Sequence, residues 1–205
     1  MNDELPAHTW QSTTVGSEGG PLLVCEADAF PEWGGALHDS AYTLDPACDY
    51  ARAWSAVHPS DDDLEAAFVR FGAHGQHTGL VWEMDGEGSA EIAYGPAGTF
   101  LLTRSWLPRD RRDAPRRRAA GASPAQETEV GELQLPGGRA VVVWAAEQAA
   151  GAVLRVEPGT YRVTCGWHEG TRGRYLPQEE MYGPPRPYAD DDWSCRWVRF
   201  TRSDA

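Results

Sequence analysis

The chain has 205 residues, 41% of them hydrophobic and nine of them Trp, which is enough to build a sizeable core and too apolar for a disordered segment. Its formal net charge of -13 sets up a field that repels phosphate backbones and attracts a basic partner, so direct nucleic-acid binding by the folded part is not expected. It contains no run of about 18 apolar residues, so neither a transmembrane helix nor a membrane partner is expected.

All 18 basic residues are Arg, and Asn2 and Ile92 are the single Asn and Ile, a bias that reads as a GC-rich bacterial genome. The four Cys (Cys25, Cys48, Cys165 and Cys195) form no Cys-x-x-Cys pair. They read as reduced thiols of a cytoplasmic protein rather than as a zinc ribbon or a disulfide framework. The acidic start of the chain lacks the basic and apolar stretches of a secretory signal.

Along the chain, residues 1–19 are polar and rich in Gly, Ser and Thr, and read as a loose arm. Residues 21–25 follow a Gly-Gly turn as a short apolar run, the pattern of a buried strand. Residues 30–35 read as a turn with Trp33 embedded, and 48–54 as a compact element whose pattern does not fix its type. Ser60 followed by Asp61, Asp62 and Asp63 supplies an N-cap and first-turn acids. Leu64, Ala67, Phe68 and Phe71 then recur at helical spacing, which predicts a helix ending at Gly72. The acidic triplet reads as that helix start rather than as a metal site.

From residue 79 onward one pattern occurs twice. Gly98, Thr99, Phe100, Leu102, Thr103 and Trp106 are matched 61 residues later by Gly159, Thr160, Tyr161, Val163, Thr164 and Trp167. Upstream, Leu80-Val81-Trp82 is matched 62 residues later by Val142-Val143-Trp144. Strands are predicted at 80–82, 90–94 and 99–102, then at 132–135, 139–144, 153–156 and 160–165, with 194–200 as a closing strand. The expected fold is mainly β, a β-dominated α+β protein with two related antiparallel units from an internal duplication and one short helix before the first. The expected division is 1–108, with the first repeat at 79–106; a linker or exposed loop at 109–128; and 129–205, with the second repeat at 132–167 and a Pro/Tyr-rich tail. Residues 104–118 carry seven Arg against Asp110 and Asp113, and read as a solvated linker.

Neither repeat carries a phosphate-binding loop, a His-Glu-x-x-His or a Gly-x-Ser-x-Gly motif. The expectation is a binding protein, not an enzyme, with no cofactor and no metal. His74 and His77 read as loop residues lacking a third ligand. Cys165 and His168 form a conceivable nucleophile pair, against the simpler reading of Cys165 as a packed strand thiol. Trp82, Trp106, Trp144 and Trp167 hold repeat-equivalent positions and read as core or sheet packing. Were they to line a cleft between the repeats, a small-molecule binding module would be the alternative function. Trp193, after Asp190, Asp191 and Asp192, is an aromatic beside charge, as interface anchors often are; the alternative is a tail Trp tucked against the sheet.

Residues 10–54 resemble immunity protein family 21 of bacterial polymorphic toxin systems. The resemblance rests on Trp10, on Gly19-Gly20-Pro21 with the apolar Leu22-Leu23-Val24, on Trp33-Gly34-Gly35, and on Asp49-Tyr50-Ala51-Arg52-Ala53-Trp54. It covers about a quarter of the chain. It implies a cytoplasmic protein that binds and neutralises a cognate toxin, often a nuclease or another intracellular enzyme. The acidic charge fits a partner with a basic active-site cleft. The expected partner-binding residues are Asp190, Asp191, Asp192 and Trp193, with Glu32, Trp33, Asp49 and Tyr50 as a second patch.

Overall fold

The computed structural model describes residues 12–38, 40–41, 43–59, 65–83, 88–95, 98–106, 114–149, 151–169 and 193–203. Among the described residues, eleven strands form two antiparallel sheets. The first holds β1 (Ser12–Ser17), β5 (Gly88–Tyr94), β6 (Thr99–Trp106), β11 (Ser194–Arg202), β10 (Gly159–His168) and β7 (Glu127–Leu135), in that order. The second runs β3 (Ala66–Phe71), β4 (His77–Trp82), β2 (Leu22–Glu26), β8 (Arg139–Trp144) and β9 (Ala152–Arg155). The protein is therefore β-dominated, with a short helix, α1 (Asp49–Val57), ahead of most of the sheet, and a second, α2 (Ala114–Ala120).

The layers follow from which side chains each strand turns inward. Leu22, Val24, Leu80, Trp82 and Val142 meet Ile92, Phe100, Leu102, Tyr161, Val163 and Phe200 between the two sheets. The alternate residues Leu23, Cys25, Val81, Val141 and Val143 face outward, under Ala53 and Val57 of α1 and under Phe30 and Trp33 of a 3-10 turn (Phe30–Glu32). With both faces covered, β2, β4 and β8 are apolar over their central positions (22–25, 80–82 and 140–144), and so these stretches read as unbroken apolar runs. On the far side, α2 lays Ala119 against Leu101, Cys195 and Trp197. The order is helix, sheet, sheet, helix.

The repeat is visible in the pairing, but the copies do not form separate sheets. β4 and β8 flank β2 in the same register: Val24 pairs with both Leu80 and Val142, and Leu22 with both Trp82 and Trp144. β6 and β10 flank β11 in registers two residues apart, with Leu102 opposite Val198 and Val163 opposite Phe200. A shift of two keeps every side chain on its own face.

Three expectations change. Residues 12–17 are not a loose arm but edge strand β1, paired with β5; only Val15 and Ser17 are buried, so the apolar signal is weak. Residues 66–71 are strand β3, not the end of a helix. Ala66 and Phe68 pack between the sheets while Ala67, Val69 and Phe71 pack beneath α1. A strand buried on both faces is apolar throughout and therefore satisfies helical spacing by accident; the acidic triplet itself lies outside the described residues. The short helix forms upstream at α1, where Cys48 Sγ accepts from Ala51 N at 3.4 Å and Ala53 and Val57, four apart, meet the sheet. Residues 114–126, read as linker, contain α2 and a 3-10 turn (Pro124–Gln126). Arg116 of α2 pairs with Glu91 at 2.9 Å.

Candidate functional site

The two flanks of β2 end differently. Beside β4, strand β3 continues as far as Ala66, which lies opposite Trp82. Beside β8, strand β9 begins at Ala152, opposite Val142, and leaves Val143 and Trp144 without a strand partner on that side. Trp82 is fully buried, whereas Trp144 is half-buried and walls a cleft of about 430 Å³. The opposite wall is β1 with the residue after it, presenting Thr14, Gly16, Ser17 and Glu18; Glu147 stands on the β8 side.

Trp144 is held from two directions. Its Nε1–H donates to Gly19 O at 2.6 Å, and Tyr50 Oη donates to the same carbonyl at 3.4 Å. The Tyr50 ring meets Trp144 edge-on with centroids 6.4 Å apart, and lies 6.4 Å from Trp54. Trp54 is 43% exposed and stacks on His58 at 4.2 Å. His58 Nδ1–H donates to Trp54 O at 3.0 Å, which turns Nε2 toward the buried Glu83, 3.4 Å away. Burial, and then the charge of Glu83, push the Tyr50 hydroxyl above its ordinary pKa. The chain passes beneath these rings at Gly20, with φ of 81°, where a Cβ would lie 2.5 Å from Tyr50 Oη. A side chain at Gly20 would be both strained and obstructed.

Of the residues expected to bind a partner, Trp33, Asp49 and Tyr50 come together around the start of α1, whereas Glu32 lies apart against Gln76 and His77 at the far end of β4. Trp33 and Asp49 belong to the interior. Trp33 is 3% exposed, its Nε1–H donates to Ala145 O at 2.9 Å, and it meets Phe71 edge-on at 5.3 Å. Asp49 is 7% exposed, accepts from Gly34 N at 2.7 Å and pairs with Arg52. These two are corrected from contact residues to supports. Ala36 N donates to Ala146 O at 2.9 Å, and Gln148 bonds Gly34 O, so the loop carrying Trp33 grips the turn that follows Trp144. Gly35, at φ 57°, lets the two backbones approach: a Cβ there would lie 2.7 Å from Ala146 O.

Tyr50 is half-buried on the rim, and Glu32 is exposed. Glu32 Oε1 accepts from His77 Nε2 at 3.0 Å, and that hydrogen bond holds the Glu32 carboxyl below its ordinary pKa. Trp193 is half-buried with its ring 4.6 Å from His168, next to the α2 cluster. Asp190, Asp191 and Asp192 lie outside the described residues.

Other candidates disperse. Cys165 points between the sheets while His168 lies against Trp193, so the two do not form a nucleophile pair. Burial pushes the thiols of Cys25 and Cys195 to about 12 and that of Cys165 to about 11, which suits packing rather than attack. His77 is engaged by Glu32, and no group of three metal-ligating side chains gathers among the described residues. Trp82, Trp144 and Trp167 line no common pocket: Trp82 is core, Trp144 is rim and Trp167 is 51% exposed. The Trp106 side chain lies outside the described residues.

Sequence reading missed Trp54, Trp144, Glu18 and Glu147 as surface features. One signal was present: Tyr50, Trp54 and His58 are spaced four apart, an aromatic stripe along one side of α1.

No protein-family model, curated protein or solved structure matches this chain. Among the described residues, no helix is long and apolar enough to cross a membrane.

Proposed function

We propose that this chain is an immunity-type protein, which binds a cognate bacterial toxin in the cytoplasm and neutralises it by stoichiometric occlusion. The observation that carries the proposal is the exposed Trp54, stacked on His58 beside Tyr50 and Trp144 on an acidic molecule. Aromatic anchors whose orientation is already fixed bind with little further loss of side-chain freedom. The acidic field attracts a partner with a basic cleft and speeds its encounter. Apart from Trp144, this surface is built from segment 19–58, which includes most of the stretch that resembles immunity protein family 21. Tyr50 and Trp54 are the contact residues, with Glu32 on the same layer; Trp33 and Asp49 hold the loop that presents them. Binding rather than catalysis is the activity, and no cofactor takes part.

The test is co-expression with the products of the genes flanking this chain's own, taking any that arrests growth when expressed alone as the toxin. Growth should be restored, and a one-to-one complex should be recovered. Trp54→Ala should weaken that complex about 10- to 100-fold while lowering folding stability by no more than about 1–2 kcal/mol, the scale of a half-buried side chain. Growth that is not restored, or protection at far below equimolar amounts, would overturn the reading.

A further inference from the structure

The cleft beside Trp144 has features that the stacked Trp54 alone does not explain. One wall is β1, which among the described residues pairs only with β5 and so presents a second, open edge. The facing strand of the other sheet, β9, is likewise an edge, paired only with β8. An open strand edge is a ready template for another extended chain. The β1 side of the lining is small and polar, with Thr14, Gly16 and Ser17. At Gly16 a Cβ would have its nearest neighbour 3.9 Å away, so the wall is not closed by packing.

The cleft's chemistry selects what enters. Its charged side chains are both carboxylates, Glu18 and Glu147, and both are exposed on its lips. Among the described residues, neither Arg nor His lines it. The indole of Trp144 forms part of the wall, locked by its bond to Gly19 O. A fixed indole flanked by two carboxylates is a receptor for a planar cation: the face attracts the charge and the carboxylates pair with it. The volume of about 430 Å³ falls in the range of sites that take a side chain or a small ligand.

We propose that this cleft receives an extended, arginine-bearing segment of the partner protein, laid along the open edge of β1 with a guanidinium against Trp144. The proposal rests on the protein-binding reading above and adds the chemistry of what is bound. Guanidinium is favoured over ammonium because it stacks on an indole while its edge still donates to a carboxylate. A strand along β1 turns alternate side chains to the same side, so arginines at every second position are matched to the cleft.

The probes are two synthetic octapeptides, one alternating Arg with Val and one alternating Glu with Val, titrated into the whole chain with calorimetry. Only the Arg peptide should bind, and its affinity should fall as salt is raised. The double variant Glu18→Gln with Glu147→Gln changes only exposed groups and should retain the fold. It should weaken Arg-peptide binding about tenfold. Equal binding of both peptides, or an Arg peptide indifferent to the double variant, would overturn the proposal. The two readings fail separately. A double variant that still neutralises the toxin at full affinity, with no Arg-peptide binding by the parent chain, sinks the cleft and spares the function. A parent chain that binds the Arg peptide at the cleft but neutralises no toxin does the reverse.

Discussion

Trp82 and Trp144 occupy equivalent places in a repeated pattern and pair with the same residue, Leu22, yet one is core and the other is surface. The difference comes from their outer neighbours. β3 runs on to Ala66 and seals the β4 flank; β9 starts at Ala152 and leaves the β8 flank open. On the sealed side the indole Nε1 of Trp82 has no hydrogen-bond partner among the described residues, whereas the Nε1 of Trp144 is bound to Gly19 O. The lesson is that two positions matched in a repeated pattern differ in burial when the strands beside them end at different places.

Stability measurements probe this contrast most strongly. Trp82→Ala removes a side chain packed between two sheets and should destabilise the fold by about 3–5 kcal/mol in urea titrations. Trp144→Ala, half-buried with one hydrogen bond, should cost about 1–2 kcal/mol. Equal losses would mean that the two flanks are packed alike and would remove the contrast.

A smaller effect concerns the interior that both flanks share. Cys25 lies on β2, between Gly79 of β4 and Val141 of β8. Its folded pKa is about 12, raised from 9.0, as is that of Cys195, and Cys165 stands at about 11. Raised acids contribute stability that is complete below the unfolded value and disappears as pH climbs toward the folded one. Tyr50 and Tyr94 are shifted in the same direction, chiefly by burial. Urea midpoints should therefore hold up to about pH 9 and decline between pH 9 and 12. A flat profile across that window would mean that these groups reach solvent in the native state.

Much of the framework is legible in the sequence because burial writes a simple code. β2, β4 and β8 are buried on both faces over their central positions and appear there as apolar runs, and the repeat marks β6 and β10 as equivalent strands, which flank β11. β1 and β3 are not legible, for opposite reasons. β1 buries Val15 and little else, whereas β3 is apolar on both faces except at the exposed Arg70 and imitates a helix. α2 is hidden by its Arg residues, since Ala119 is its one fully buried residue in the α2 cluster. Tyr50 and Glu32, expected as contacts from charge and the partial resemblance, do reach the surface. Trp33 and Asp49 are picked out with them, although their side chains turn inward to hold the loop. The cleft is beyond sequence reading, because it depends on where β9 stops and on β1 lying across from it, neither of which is written near Trp144.

The most direct measurement is tryptophan oxidation footprinting of the chain, free and in complex with the toxin that the co-expression test identifies, read residue by residue in a mass spectrometer. The account predicts that Trp54 and Trp144 are modified in the free protein and protected in the complex, while Trp167, which is as exposed as Trp54 but outside the aromatic rim, reacts equally in both. Protection of Trp167 with Trp54 and Trp144 unchanged would contradict it.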